Sequence, residues 1–364
     1  MKIVHISPTY FDCASIVGGG ERYPTELART MADCLDVTLV SFSQSRRSYR
    51  QGNLRIEIFP AQHLIKGNKI DPLNFQYLQS VLRADVIHVH HLSTFVSQMA
   101  ATLGALLGKL IFVTDYGGGS GFVTRLNQFI PLFWCYKQAT VISKYALNFI
   151  PIELQQKAAL IKGGIDVNCF SPDPTLPKQN TILYVGRIIP HKGINYLIEG
   201  FRLLNRPDFT LKIVGRVYSD RFYQDLQQQA AGLAVEFIHN ADDQQLLEAY
   251  RTAIVTVLPS VHTNCYGDYT PVPELMGFTL LESQACGTPV ICTNAGAMPE
   301  FVEPGQTGLV VAQNSGEAIA EALKTILNLS PNEYQHWQHC CQAWVEPMSW
   351  QHVVRQHLAL YQSV

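Results

Sequence analysis

Two glutamates eight positions apart, Glu274 and Glu282, bracket the densest group of chemically capable residues in this chain. Between them Gly277 supplies a bare backbone, and the apolar run after it predicts a helix from near Thr279. A helix start offers amide N–H groups with no partner inside the helix, which suits an anion. Glu282 then falls about one turn inside that helix and Glu274 on the loop entering it. A carboxylate can accept two hydrogen bonds from neighbouring hydroxyls, as on a sugar or a ribose. Carboxylates beside Leu280, Leu281 and Ala285 are costly to bury unpaired. Composition alone fits equally a solvated Glu282 on a surface helix.

Upstream, Gly186 and Arg187 follow a predicted strand, and Lys192 and Gly193 precede a helix, with Pro190 and His191 between them. Two fixed cations on one loop could neutralise a diphosphate, at about 1.5–3 kcal/mol for each charge-assisted contact. The same loop read by itself fits two solvated surface charges. His88, His90 and His91 end another predicted strand, where alternation puts His88 and His90 on one face and His91 on the other. They could be structural or could serve a site, and no further ligand at metal spacing stands near them. Gly18, Gly19 and Gly20 follow the first strand and precede a helix expected from Glu21; they form either a ligand-contacting loop or a merely flexible one. A second polar loop, Asp115 to Ser120, carries three more glycines.

Positioning such groups takes a scaffold. Strands are predicted at 2–7, 36–42, 54–59, 85–90, 109–115 and 138–143, with helices at 21–31 and 93–107 among them. A second series follows, with strands at 181–185, 210–214, 235–238, 253–258, 289–292 and 308–311. Its helices fall at 194–204, 222–231, 244–251, 280–286 and 316–327. Alternation of this kind predicts parallel sheets covered by helices, an α/β class with two Rossmann-like doubly wound domains. In such sheets ligands sit outside the carboxyl ends of the strands. The 364 residues exceed what one core usually supports. The proline-rich run Phe170 to Pro177 marks the expected boundary, giving an N-terminal domain over 1–172 and a C-terminal domain over 178–346. A last helix over 349–364, capped by Ser349, is expected to return to the first domain.

The net charge of −2 shows no basic surplus, so nucleic acid is not an expected partner. Nine scattered cysteines without zinc spacing read as reduced thiols of a cytoplasmic protein. The opening residues are too soon interrupted for a signal-peptide core. The most apolar stretch, Phe95 to Leu110, is interrupted by Gln98, Thr102 and Lys109 and suits a buried helix better than a membrane span.

Taken in order, these segments resemble glycosyltransferase family four, the retaining family with the two-domain GT-B fold. The resemblance runs through Gly18–Gly20, Asp85–His91, Gly164–Asp166, Phe170–Pro172 and Val185–Arg187. It continues through His191–Gly193, Ile213–Gly215, Pro259–Ser260, Glu274, Glu282, Gly287–Val290 and Thr307–Leu309. It implies transfer of a sugar from a nucleotide-diphosphate sugar to an acceptor hydroxyl with retained configuration, in polysaccharide, glycolipid or other glycoconjugate synthesis. No cofactor is implied, because Arg187 and Lys192 would hold the diphosphate where other transferases use a DxD-bound metal, and the chain has no DxD. Glu282 would bind the ribose, Glu274 the donor sugar, and the backbone from Gly277 through Phe278 and Thr279 to Leu280 the phosphate and sugar. Gly186 belongs to the diphosphate loop. Gly19 and Gly20 would close on phosphate or acceptor, and His90 would lie near the donor sugar and acceptor. Implied partners are the nucleotide sugar and an acceptor sugar, lipid-linked or small. The basic patch Arg46, Arg47 and Arg50 is suited to weak peripheral contact with the inner membrane face.

Two departures stand out: residues 262–273 form an insertion beside the donor sugar, and Met276 and His239-Asn240 replace usual family residues. A silent sugar-nucleotide-binding partner is disfavoured by the intact Glu274, Arg187, Lys192 and His90, and a nucleotide-sugar epimerase or a phosphorylase on the same architecture by the spacing of the two glutamates and the Gly186–Gly193 loop. A nicotinamide oxidoreductase is disfavoured by the missing dinucleotide fingerprint.

Overall fold

The computed structural model describes residues 1–8, 19–61, 63–65, 71–116, 123–125 and 132–363. Gly18 and the run Gly117 to Ser120 lie outside them. The chain divides into two compact units, 1–164 with 350–364, and 165–349. The run Phe170 to Pro177 therefore falls inside the second unit. It is tied there by Phe170 packing edge-on to Tyr250 and by Arg251 donating to the Ser171 carbonyl at 2.7 Å.

Strands β1 (Lys2–Ile6), β2 (Asp36–Ser43), β3 (Arg47–Gln51) and β4 (Leu54–Pro60) open the first unit, followed by a small separate pair, β5 (His63–Leu64) and β6 (Pro72–Leu73). Then come β7 (Val86–His90), β8 (Leu110–Thr114), β9 (Gln138–Val141) and β10 (Ala158–Leu160). The main sheet runs β10-β9-β8-β7-β1-β2-β4-β3, parallel except where β3 meets β4. Every residue of β7 and all but the first of β1 are buried. Since alternate residues face opposite sides, both faces of the sheet centre are covered. Helices α1 (Gly19–Met31), α2 (Leu78–Arg83) and α3 (Phe95–Leu106) supply cover, with α4 (Lys144–Leu147) and α5 (Ile152–Gln155) as single turns. Thr94 accepts the Ser97 amide to start α3.

In the second unit the strands are β11 (Thr181–Val185), β12 (Thr210–Val214), β13 (Val235–Ile238), β14 (Val255–Leu258), β15 (Val290–Thr293) and β16 (Gly308–Val311). They order as β13-β12-β11-β14-β15-β16, all parallel. The helices are α6 (Ile194–Leu204), α7 (Asp220–Gln229), α8 (Asp243–Thr252), α9 (Phe278–Ala285), α10 (Gly316–Leu327) and α11 (Pro331–Val345). Helix α12 (Trp350–Gln362) belongs to the first unit and packs on α1, where Trp350 meets the edge of Tyr23. Both units are thus doubly wound, and in each the strand order turns about a central pair, β1 and β7 or β11 and β14.

Three local expectations are corrected. Gly19 and Gly20 stand in the first turn of α1 rather than in a loop before it. Strand β3 was not expected: all five of its residues are exposed, so it carries no buried alternation to read. Helix α11 was missed because its buried stripe is only Trp337, Cys341 and Val345 in a polar segment; the Ser330–Glu333 capping box with Pro331 at its first turn marks its start. The described cysteines are all free.

Candidate active site

Residues after β11 and β14, the pair where the strand order of the second unit reverses, hold most of the expected side chains. That reversal is where an open parallel sheet leaves room for a ligand. The β11 loop is shaped by backbone crowding. Gly186 donates its amide to the Val214 carbonyl at 3.0 Å, and a Cβ on Gly215 would overlap the Gly186 carbonyl. Tyr184, buried beneath, donates its hydroxyl to the Arg187 carbonyl at 3.0 Å. Gly193 sits at φ 66, a left-handed conformation that favours glycine, and a Cβ there would overlap the Pro259 carbonyl. The loop after β11 therefore lies against the loop after β14, and the Val261 amide closes onto the His191 carbonyl at 2.9 Å.

Lys192 turns inward from this loop and pairs through Nζ with Glu274 Oε1, their side chains only 9% and 15% exposed. Ser260 Oγ lies 3.4 Å from the same oxygen. The Glu274 backbone is fixed as well, its carbonyl accepting the Ala297 amide at 3.0 Å. The ion pair spans 82 positions of sequence, joining the cationic loop to the carboxylate loop. Arg187 is exposed, with its guanidinium carbon 5.9 Å from the centre of the Tyr218 ring. Among the described residues it has no carboxylate within ion-pair distance. Burial, reinforced by the charges of Lys192 and Arg187, pushes the His191 imidazole down to about 4, so it is neutral at pH 7.

Gly277, at φ 85, opens α9, and Thr279 donates its hydroxyl to the Val185 carbonyl at 3.1 Å, bringing the start of α9 to the end of β11. Phe278 and Thr279 are partly exposed. Leu280 is fully buried and its amide is taken by the Gly277 carbonyl at 3.0 Å, so of the expected backbone stretch this amide is already engaged. Glu282 lies in α9 as expected but is only 4% exposed, and Tyr250 donates its hydroxyl to Oε2 at 2.7 Å. Tyr250 and Tyr184 were not singled out from the sequence, and His191 and Ser260 stood there only as members of motifs, with no role given. Their roles depend on contacts between loops distant in the chain.

In the first unit, His90 and His91 end β7 at the corresponding reversal. His88 and His90 do share a face: their rings stack at 4.7 Å and 5°, with His5 stacked beside both. His90 is fully buried, with Nδ1 2.7 Å from Tyr116 Oη and Nε2 3.0 Å from His5 Nδ1. His88 meets Thr114 Oγ1 at 2.7 Å and the Tyr361 hydroxyl of α12, and His357 completes the group. The expected site histidine is thus enclosed on both ring nitrogens. The partly exposed imidazole belongs to His91, turned by a left-handed backbone at φ 69. A Cβ on Gly20 would lie 3.5 Å from the His91 ring, so α1 starts directly against it. Burial holds His5 at about 3 and His357 at about 4, and drives His88 and His90 well below the usual histidine value. Sequence reasoning did not find His5, His357 or Tyr361, because nothing in a local pattern joins β1, β7 and the last helix.

Among the described residues no three His, Cys, Asp or Glu side chains are grouped to hold a metal ion. Likewise no helix is long and apolar enough to cross a membrane.

Comparison with known proteins bears on the family and the fold. Residues 170–339 match the family model described as glycosyl transferases group 1, and residues 17–141 match that of glycosyltransferase family 4. The chain is 26% identical over 398 aligned positions to the GDP-mannose:cellobiosyl-diphosphopolyprenol alpha-mannosyltransferase of Xanthomonas oryzae pv. oryzae, covering 99% of this chain and 96% of that one. Sucrose-phosphate synthase from Thermosynechococcus elongatus superposes with a TM-score of 0.74 at 20% identity, over 100% of this chain and 99% of that chain. The Anabaena protein HepE, in complex with UDP and glucose, gives 0.74 at 18% identity over the full length of both. These last two show the fold, which is GT-B, with two Rossmann-like halves.

Proposed function

This chain belongs to glycosyltransferase family four, and from that premise we propose that it moves a glycosyl group from a nucleotide-diphosphate sugar to an acceptor hydroxyl, with retention at the anomeric carbon and without a metal ion. The observation that carries the reading is the Lys192–Glu274 pair at the strand-order reversal of the second unit, with Arg187 exposed on the same loop. A cation already fixed by a carboxylate needs no rearrangement when charge appears beside it, and preorganised charge is what lowers a barrier.

In the proposed reaction the bond from C1 to the diphosphate breaks while Arg187, Lys192 and the amides opening α9 take up the growing negative charge. The acceptor oxygen forms its bond to C1 on the face the diphosphate leaves, and its proton passes to the departing phosphate oxygen. No protein nucleophile enters. Gly186 lets the backbone approach the diphosphate, Glu274 meets the hydroxyls of the donor sugar, and Glu282 the ribose. Because Glu282 is enclosed by Tyr250, its reach to a ribose requires that hydroxyl to share it. In the first unit the strand end His90–His91 is assigned a role toward substrate, with His91 as the partly exposed imidazole and His90 as its support, and with Gly19 and Gly20 opening α1.

For the acceptor we propose a sugar on a lipid diphosphate, supported by the cellobiosyl-diphosphopolyprenol for which the Xanthomonas relative, aligned along nearly its whole length, is named. Arg47 and Arg50 on exposed β3, with Arg46 before it, offer a basic edge for weak contact with an anionic membrane surface. The test is release of sugar from GDP-mannose and UDP-glucose with and without acceptor, in buffer containing EDTA. Turnover that persists in the chelator supports the reading. Absence of both hydrolysis and transfer with every nucleotide sugar tried would refute it.

A further inference from the structure

Residues 262–270, the heart of the insertion, form a tight hairpin with most of its polar groups engaged. The Thr270 amide donates to the His262 carbonyl at 2.7 Å, and the Asn264 amide to that of Asp268 at 3.0 Å. Buried Asn264 accepts the Tyr266 and Asp268 amides through Oδ1 at 2.8 and 3.1 Å. The two tyrosines of the hairpin are used differently. Tyr266 anchors it to α7: its hydroxyl bonds Asp225, Arg221 lies 4.4 Å over its ring, and Phe222 packs edge-on. Tyr269 is 67% exposed, and among the described residues its hydroxyl has no partner. One face of its ring stacks on His262, with centroids 5.8 Å apart and an interplanar angle of 17°. The other face is open.

The base under that ring is rigid and continuous with the donor loop. His262 Nδ1 lies 3.0 Å from the Thr270 carbonyl, its Nε2 lies 3.3 Å from the Gly296 amide, and its own amide donates to Gln313 at 2.8 Å. A Cβ on Gly296 would overlap the Glu274 carbonyl, and the next amide, Ala297, bonds that carbonyl. The hairpin also begins at Val261, bonded to His191, and is followed four residues on by Glu274. Its support is therefore built from the walls of the Lys192–Glu274 site.

We infer that Tyr269 is a shelf at the rim of this site on which a sugar ring lies, its C–H face against the open face of the phenol. This rests on the proposed glycosyl transfer and adds a specificity-determining residue to it. A pyranose presents an apolar C–H face, and the open face of an aromatic ring matches it with or without the phenol hydroxyl. The ring is held by His262 before any ligand arrives, so little side-chain entropy is lost on binding. The sugar could be that of the donor or the terminal residue of the acceptor, and the experiment separates them.

Wild type, Tyr269→Phe and Tyr269→Ala are compared with GDP-mannose and UDP-glucose in hydrolysis without acceptor, and in transfer to octyl β-glucoside. Inhibition by GDP and UDP and the melting temperature serve as controls. The expected result is a KM about tenfold higher in Tyr269→Ala, with near-wild-type values in Tyr269→Phe and unchanged nucleotide inhibition. A rise in donor KM during hydrolysis assigns the shelf to the donor sugar; a rise confined to the acceptor during transfer assigns it to the acceptor. If Tyr269→Ala leaves both KM values within twofold of wild type while wild type turns over, the shelf is refuted and the transferase reading stands. Wild type that neither hydrolyses nor transfers from any nucleotide sugar removes the transferase reading and the shelf with it.

Discussion

Lowering the pH from 7 to 5 should destabilise the first unit steeply, because four histidines there are walled in as neutral imidazoles. His5, His88, His90 and His357 are fully buried, and burial is the main cause holding each folded value below 6.5. A depressed folded value means the unfolded chain binds the proton first. The stability is fully present above about pH 6.5 and is lost as pH falls from there toward the folded values, about 3 for His5 and about 4 for His357. Between pH 7 and 5 an unfolded imidazole takes up most of a proton over the lower part of the interval, so each group costs about 1.8 kcal/mol. The two with stated values give about 3.6 kcal/mol, and His88 and His90, shifted in the same direction by burial, add to the loss. A domain is stable by about 5–15 kcal/mol, so the first unit should lose a large share of its margin by pH 5. In the second unit His191 is shifted the same way, but it is only partly buried, so its contribution is smaller. The assay is urea unfolding at pH 7, 6 and 5, followed by hydrogen exchange read peptide by peptide so that the units are resolved. A loss below about 2 kcal/mol in the first unit, or an equal decline in both, would refute the reasoning.

Other perturbations address the chemistry more directly. Lys192→Ala should lower turnover about 100-fold, the scale of losing one preorganised charge, and near-normal kcat would sink the diphosphate assignment. Gly215→Ala places a Cβ on the Gly186 carbonyl, so kcat/KM should fall about 100-fold through a displaced loop, measured alongside a melting curve that shows the fold retained. His91→Ala should reduce turnover while leaving the melting temperature unchanged. His90→Ala orphans Tyr116 and His5 in the buried stack and should cost about 1–3 kcal/mol of stability, detectable as a lower urea midpoint at pH 7.

Legibility in the sequence followed the range of the physics involved. Strand β11 and helix α6 were read to the residue, because a short, almost continuously buried β-branched and apolar run at 181–185 and a 3.6-residue stripe over Ile194–Leu204 are local signals. Gly277 was readable as a bare-backbone position, whereas Gly186 and Gly193 were readable only as members of the cationic loop; the left-handed turn of Gly193 against the Pro259 carbonyl is seen only in three dimensions. The Lys192–Glu274 pair was readable only as two residues of matching chemistry, because their meeting depends on β11 and β14 lying side by side. The burial of Glu282 under Tyr250 left no trace in spacing, and the placement of His90 behind His91 was open from alternation alone. The glycines of α1 were misread because a Gly pair before Glu21 fits a loop and a first helical turn equally well.

The same distinction explains why the reaction class is better determined by this chain than its sugar. Positioning a diphosphate needs backbone approach and fixed cations, which constrain residue type at short range and so survive as motif. Discriminating one hexose from another needs contacts to hydroxyls at the periphery, where the hairpin 262–270 stands on α7 and on the Gly296 turn. Its order comes from contacts the local pattern does not announce, such as Tyr266 on Asp225 and His262 on the Gly296 amide. An insertion that looks like mere extra length in the sequence is in three dimensions a braced extension of the loop carrying Glu274. If sugar choice resides there, exchanging 262–270 for a short turn should change which nucleotide sugar is used while leaving nucleotide inhibition intact. Loss of nucleotide binding in that exchange would mean instead that the hairpin braces the whole donor loop, with Glu274 displaced along with it.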